Sequence, residues 1–322
     1  MQQRKTWIDG LRGLAMLFVI YGHLCLGIRP YSLFSSPIKL PLFFAVTGYV
    51  FSFKGGNVKA FFRSLAQHLI LPWLIFSAVY TAVKIVSGTA ASEALLDFIS
   101  GNVAWYIPCL IAAEIVFFLV RKAAKPLWLQ YALMLALAAA GYLISRTGTE
   151  LCTFVGRALI VQFYIMIGYV FRNLEERITK PKLWPAVFFI LYAGIGAYVL
   201  IQHSSSIVDV QSNSYYDPLL FAAMVVCGCS FLFYYARCIK MPRWLTFIGR
   251  NTLIFYLFHA RILDMLRPLI NMIPHAVRSN IITGLPISLV ICAALCGICA
   301  VCSTLIDRYI PFLAGKPARK HN

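Results

Sequence analysis

The stretch D-G-L-R-G-L-A-M-L-F-V-I-Y-G-H, Asp9 to His23, decides what kind of protein this is. From Gly13 to Tyr21 it is apolar, as the first segment of a membrane protein would be. Yet Asp9 and Arg12 stand at its start and His23 at its end. Ionisable groups are expensive in hydrocarbon, so those kept inside a membrane segment face a protein interior or a watered cavity and mark a functional site by default.

The rest of the chain supports the membrane reading. Of 322 residues, 61% are hydrophobic and 12% charged, and the mean hydropathy is +0.78. That is too little polar surface to cover a soluble globule. Apolar runs of the length a membrane helix needs fall at about 10-28, 38-53, 66-86, 103-120, 127-145, 157-171, 183-201, 218-236, 251-266 and 281-306. The fold expected is therefore all-α, a polytopic integral membrane protein of about ten transmembrane helices. No polar block or composition break divides them, so residues 1-322 read as a single integral membrane domain. A cleaved signal peptide is not expected, because no small-residue cleavage site follows the first run and further spans do.

A net charge of +18 raises the question of nucleic acid, and its distribution answers it. Numbering the segments between spans from the N-terminus, the tail and every second loop hold twenty Lys and Arg, among them Arg4, Lys5, Lys54, Lys59, Arg63, Lys180, Lys182, Arg250, Arg319 and Lys320. The intervening loops hold six: Arg29, Lys39, Arg146, Arg157, Arg267 and Arg278. Arg12, Lys84 and Arg261 fall within spans. Such alternation is the positive-inside pattern for ten spans with both termini cytoplasmic. The basic excess reports topology, and no nucleic-acid partner is expected. The ten cysteines include Cys292, Cys296, Cys299 and Cys302 at helical spacing, which suits helix packing better than paired metal knuckles. No metal is expected.

On a helix, the eleven steps from Arg12 to His23 bring the chain back to within roughly 20° over a rise of roughly 16 Å, so the two side chains share a face. Asp9 lies on that face too, one turn below Arg12, at the i, i+3 spacing that allows an ion pair. His23 then sits toward the outer side. A lone His on such a face can be a hydrogen-bonding strut between helices, but a strut leaves the guanidinium on the same stripe unexplained.

The spacing of Arg12 and His23, with Asp9 before them, resembles the R-x10-H signature of the acyltransferase-3 family of polytopic membrane O-acyltransferases. L-P-L-F-F-A-V-T-G-Y-V-F, at 40-51, is similar to its FFxxSGY segment; A-W-Y-I-P-C-L, at 104-110, resembles its Trp-aromatic segment; and I-G-R-N-T-L-I-F-Y-L-F-H, at 248-259, resembles its C-terminal Gly-x-x-(Ser/Thr)-x-x-x-Tyr-x-x-His block. The four motifs occur in the family's order, from the first expected span to the ninth. Two departures stand out. Thr47 replaces the usual Ser, keeping the hydroxyl. Before Pro72, where the family carries a basic cluster, this chain has Arg63 and His68.

The resemblance implies transfer of an acyl group, most often acetyl, from cytoplasmic acetyl-CoA as co-substrate to a hydroxyl of a cell-surface or lipid-linked glycan on the far side of a cell membrane, the inner membrane of a bacterium. Such chemistry needs a base for the hydroxyl proton, fixed geometry, and a stabiliser for the oxyanion. His23, with an unperturbed pKa of about 6.5, is the expected base, with a transient acyl-imidazole as the variant. Arg12 suits an anionic or carbonyl oxygen of the donor, and Asp9 would orient it. Arg63 is expected among the groups that hold the CoA phosphates. Tyr256 and His259 are candidates for the cavity wall or interfacial anchors; Thr47 and Tyr49 for site contact or packing; Trp105 and Tyr106 for acceptor stacking or the interfacial aromatic belt. Glu114 and Lys84, also within spans, are candidates to pair with each other or to line the cavity. The rival class is a secondary transporter of a sugar or lipid intermediate, in which Asp9, Arg12 and His23 would form a relay. The chain shows no internal repeat of the kind many transporters carry.

Overall fold

A computed structural model describes residues 5–24, 29–177, 183–204 and 208–316, so Arg4, Lys180, Lys182, Arg319 and Lys320 lie outside the described residues. The described chain is an all-α polytopic membrane protein. It runs through α1 (Thr6–Leu24), α2 (Arg29–Val50), α3 (Val58–Leu65), α4 (Leu71–Val86), α5 (Ala91–Ile99) and α6 (Tyr106–Ala123). It continues through α7 (Leu127–Ser145), α8 (Glu150–Leu174), α9 (Trp184–Gln202), α10 (Pro218–Cys238) and α11 (Arg243–Arg250). The last helices are α12 (Thr252–Asn271), α13 (His275–Ser279) and α14 (Ile281–Tyr309).

Among the described residues, seven helical segments are long and apolar enough to cross a bilayer. They are α2, the continuous stretch from α3 through α4, α7, α8, α9, α10 and α14, and they cover seven of the ten expected spans. The other three expectations, 10-28, 103-120 and 251-266, correspond to α1, α6 and α12, helices of 19, 18 and 20 residues. These three carry more charge. Asp9, Arg12, Glu114, His259 and Arg261 sit on them and line cavities or form an ion pair inside the bundle, while Arg121 and Lys122 close α6 and Asp264 and Arg267 are exposed on α12. α2 begins at Arg29 rather than near 38 and runs through Pro37 and Pro41. Neighbouring helices make such interior prolines tolerable in membrane bundles.

Four segments expected as loops hold helices, α3, α5, α11 and α13. α5 caps the turn after α4. α11 lies along the first half of α1, with Leu245, Ile248 and Gly249 buried. Gly249 decides how close the two come, because a Cβ there would fall on the Asp9 backbone carbonyl. The same device joins α2 to α8, where Cβ atoms on Gly48 and Gly168 would collide with the carbonyls of Ile165 and Ala45. Small residues let helices approach closely where lipid offers no hydrophobic gain from association. Gly249→Ala is therefore expected to lower the melting temperature through an overpacking cost of about 1–3 kcal/mol. Gly194→Ala in α9, where an added methyl meets nothing within 4 Å, is expected to be neutral or slightly stabilising by the helix preference for Ala.

The α3–α4 stretch widens into a π segment at Ala66–Ile70. Pro72 follows it. Proline lacks an N–H and its ring collides with the carbonyl four residues back, which here belongs to His68. The wider turn relieves that clash.

Candidate functional site

Two cavities enter the bundle from opposite ends. At the end carrying Lys54 and Arg250, a cavity of about 450 Å³ is lined by Arg12 of α1, Thr47 of α2, Tyr106 and Glu114 of α6, Arg250 of α11 and Tyr256 of α12. Beside it lies a cleft of about 420 Å³ lined by Lys54, Lys59, Arg63 and His68. The two share Lys54, Ser64 and His68, so they form one continuous basic recess. Anionic oxygens are what such a recess attracts, and guanidinium forks bind them bidentately.

Asp9 is only 3% exposed. It accepts a hydrogen bond from Arg250 Nε at 3.2 Å, a partner 241 residues away that α11 delivers through the Gly249 contact. The sequence reading gave Asp9 to Arg12 alone. Arg250 joins that group of charges and lines the cavity with Arg12.

The second cavity, of about 860 Å³, opens at the other end and holds His23, Lys39, Trp105, Asp209, His259 and Arg261 on its walls, with Tyr256 at its base. The rings of His23 and His259 lie 5.2 Å apart between centroids. His23 presents an accessible face to the cavity, whereas His259 is buried. The Nδ1 of His259 sits 3.0 Å from the Phe255 carbonyl and 2.8 Å from the Tyr256 carbonyl. Carbonyls only accept, so Nδ1 carries the hydrogen and Nε2 keeps its lone pair. That Nε2 is buried and has no hydrogen-bond partner among the described residues.

Tyr256 and Leu40 line both cavities and so form the partition between them. The Tyr106 backbone N–H, an otherwise orphaned donor at the first turn of α6, donates to Tyr256 Oη at 3.1 Å. Tyr256 is thereby fixed against Tyr106, with ring centroids 5.2 Å apart, and against His259 at 5.8 Å. A continuous row of rings, Tyr106, Tyr256, His259 and His23, runs from one cavity into the other.

Of the residues singled out from the sequence, Arg12, Thr47, Tyr106 and Tyr256 meet in the first cavity, and His23, Trp105, Tyr256 and His259 in the second. Arg63 lies in the basic cleft. The Thr47 hydroxyl donates to the Phe43 carbonyl of its own helix at 3.1 Å. Tyr49 lines neither cavity nor the cleft. It packs against Trp7 and Phe233, and its hydroxyl joins Lys5 and Glu175. Burial pushes the Glu175 carboxyl up, but hydrogen bonds from Tyr49 and Lys5, with the charges of Lys5 and Arg237, outweigh it and hold the group below its ordinary range. Lys84 pairs with Asp97 at 2.8 Å, not with Glu114, which lines the first cavity instead.

Sequence reasoning assigned Lys39 and Arg157 to loops. Lys39 is on α2 with its ammonium in the second cavity. Arg157 is buried on α8, its guanidinium 4.8 Å from the centre of the Trp105 ring. Arg157 and the left-handed backbone of Ala104, with φ of 69°, fix Trp105 at the cavity wall. Among the described residues, no group of three or more His, Cys, Asp or Glu side chains is placed to hold a metal ion. Cys109, Cys227, Cys229, Cys292 and Cys299 are packed in the core.

A family model described as an acyltransferase domain matches residues 5–305, nearly the whole chain. No curated protein and no solved structure gives a match.

Proposed function

The chain belongs to the acyltransferase-3 family and is a membrane acyltransferase, and from that premise we propose that it carries an acetyl group from acetyl-CoA at its basic end to a hydroxyl of a cell-surface or lipid-linked glycan at the other. The observation that carries this reading is the pair of cavities meeting at Tyr256, one rich in fixed cations and the other holding two imidazoles. A donor with phosphates suits Lys54, Lys59 and Arg63 in the cleft. Its acyl arm then lies along Arg12 toward the partition, where the thioester meets the acceptor. CoA itself never crosses.

His23 takes the proton of the acceptor hydroxyl, and the oxygen attacks the thioester carbonyl. The developing oxyanion is stabilised by donors at the partition, of which the Tyr256 hydroxyl is one. The tetrahedral adduct collapses, the C–S bond breaks, and the CoA thiolate takes up the proton held by His23. His259, with its lone pair at Nε2 beside His23, positions that ring and is the alternative base. A transient acyl-imidazole on His23 is the covalent variant. In this reading the protein is a multi-pass protein of the cell membrane, the inner membrane of a bacterium, with both termini cytoplasmic.

Purified protein in vesicles, given acetyl-CoA labelled in the acetyl group on one side and glycan on the other, tests the proposal directly. Label should leave the thioester and appear in ester linkage on the glycan. Glycan crossing the vesicle with no loss of label from the thioester would make the protein a transporter. Orientation has its own test. A reporter fused after Lys182 should be cytoplasmic and one after Ser204 external, because basic residues are retained on the cytoplasmic side. Both on one side would overturn the orientation.

A further inference from the structure

The second cavity contains a cation for which acyl transfer as such has no use. Lys39 projects from the middle of α2 into it, and its Nζ lies 3.6 Å from where a Cβ on Gly22 would stand, immediately beside His23. The lysine side chain therefore lies against α1 at van der Waals distance. Lys39 makes no hydrogen bond or ion pair with any described residue, and the acids around it are taken. Asp209 is turned into its own loop, accepting from the backbone N–H groups of Gln211 and Ser212 and from the Ser212 hydroxyl. Asp264 is shared between Arg261 at 3.4 Å and Arg267 at 3.1 Å. Arg261, which stacks on Tyr80, adds a second positive group to the same wall.

An ammonium inside a membrane bundle is costly, and such charges pair with one another or with a substrate. Here no described acid forms an ion pair with Lys39, Asp209 on the same wall included, and the cavity stands open before it. We propose that the acceptor carries an anionic group, a carboxylate or a phosphate on the saccharide, and that Lys39 holds this group beside His23. The role of acceptor rests on the acyl-transfer reading; the anion site does not. Holding the anion at one fixed point would place a nearby hydroxyl at the His23 imidazole, which makes Lys39 a determinant of which sugar, and which hydroxyl, is used.

The full chain in detergent is titrated with glucose, glucuronate and glucose 1-phosphate, and the melting temperature is followed by tryptophan fluorescence. Glucuronate, glucose 1-phosphate or both should stabilise wild type more than glucose does. Lys39→Met should weaken that binding by on the order of 30-fold, the usual loss when one partner of a buried charged contact is removed, and Lys39→Arg should restore much of it. A response to glucuronate points to an acidic sugar, and a response to glucose 1-phosphate alone to a phosphate-bearing one. Phosphate held in the basic cleft shifts wild type and Lys39→Met alike and so drops out of the comparison. Removing a half-buried cation that pairs with no described residue should leave Lys39→Met at least as stable as wild type without ligand; if it is less stable, Lys39→Gln takes its place. Equal responses to the three compounds, no response to either anion, or anion responses unchanged in Lys39→Met overturn the proposal. Transfer of label to a glycan at a rate unaffected by Lys39→Met would overturn it while leaving the acyltransferase reading intact. Anion binding that depends on Lys39, with no loss of label from acetyl-CoA, would do the reverse.

Discussion

Replacing His23 by alanine is expected to lower acyl transfer by about 10²- to 10⁴-fold, the usual cost of losing a general base, while the protein inserts and purifies as before. The imidazole faces an open cavity, so its removal enlarges existing space rather than hollowing a packed core, and the melting temperature should barely move. His259→Ala is the informative contrast. That ring is buried and holds the Phe255 and Tyr256 carbonyls, so its loss should cost stability as well, through a cavity and unsatisfied acceptors. Turnover and melting temperature measured on the same preparations separate a base from a strut. A stable His23→Ala with near-normal turnover would pass the role of base to His259.

The second large effect is expected on the donor side. Arg12→Lys keeps the charge and loses the planar fork, and one or two charged hydrogen bonds to the donor should be lost, about 10- to 100-fold in apparent affinity. The measurement is the dependence of initial rate on acetyl-CoA concentration at fixed acceptor. An unchanged KM for acetyl-CoA, with only the acceptor KM altered, would remove Arg12 from the donor side.

Much of this architecture was readable from the chain. The seven apolar segments were legible because hydrocarbon imposes one rule, continuous apolarity over about 20 residues. Arg12 and His23 were legible as a pair because eleven helical steps return to one face. What stayed hidden depends on contacts between parts of the chain far apart. Nothing local announces that Arg250 reaches Asp9, since the ion pair depends on an eight-residue helix set against α1 by the absence of a side chain at Gly249. Lys39 was counted with a loop because the second span was begun at 38; α2 in fact starts at Arg29, and the tertiary bundle carries it through both Pro37 and Pro41. Tyr49 sits two residues beyond Thr47 and points elsewhere, because a helix turns about 200° in two steps. One motif therefore feeds both a cavity and a packed aromatic cluster.

The placement of α1 carries a consequence for biogenesis. α1 is among the helices least able to partition into lipid alone, and it packs against α11, α12 and α14, all made well after it, as well as α2 and α10. Asp9 cannot have its Arg250 partner until some 240 further residues have been made. Stable seating of α1 must therefore wait until α11 has been made, leaving it held loosely by earlier neighbours in the meantime. An early helix is thus completed by a late one, and the site it helps to build comes into being only once both have been made.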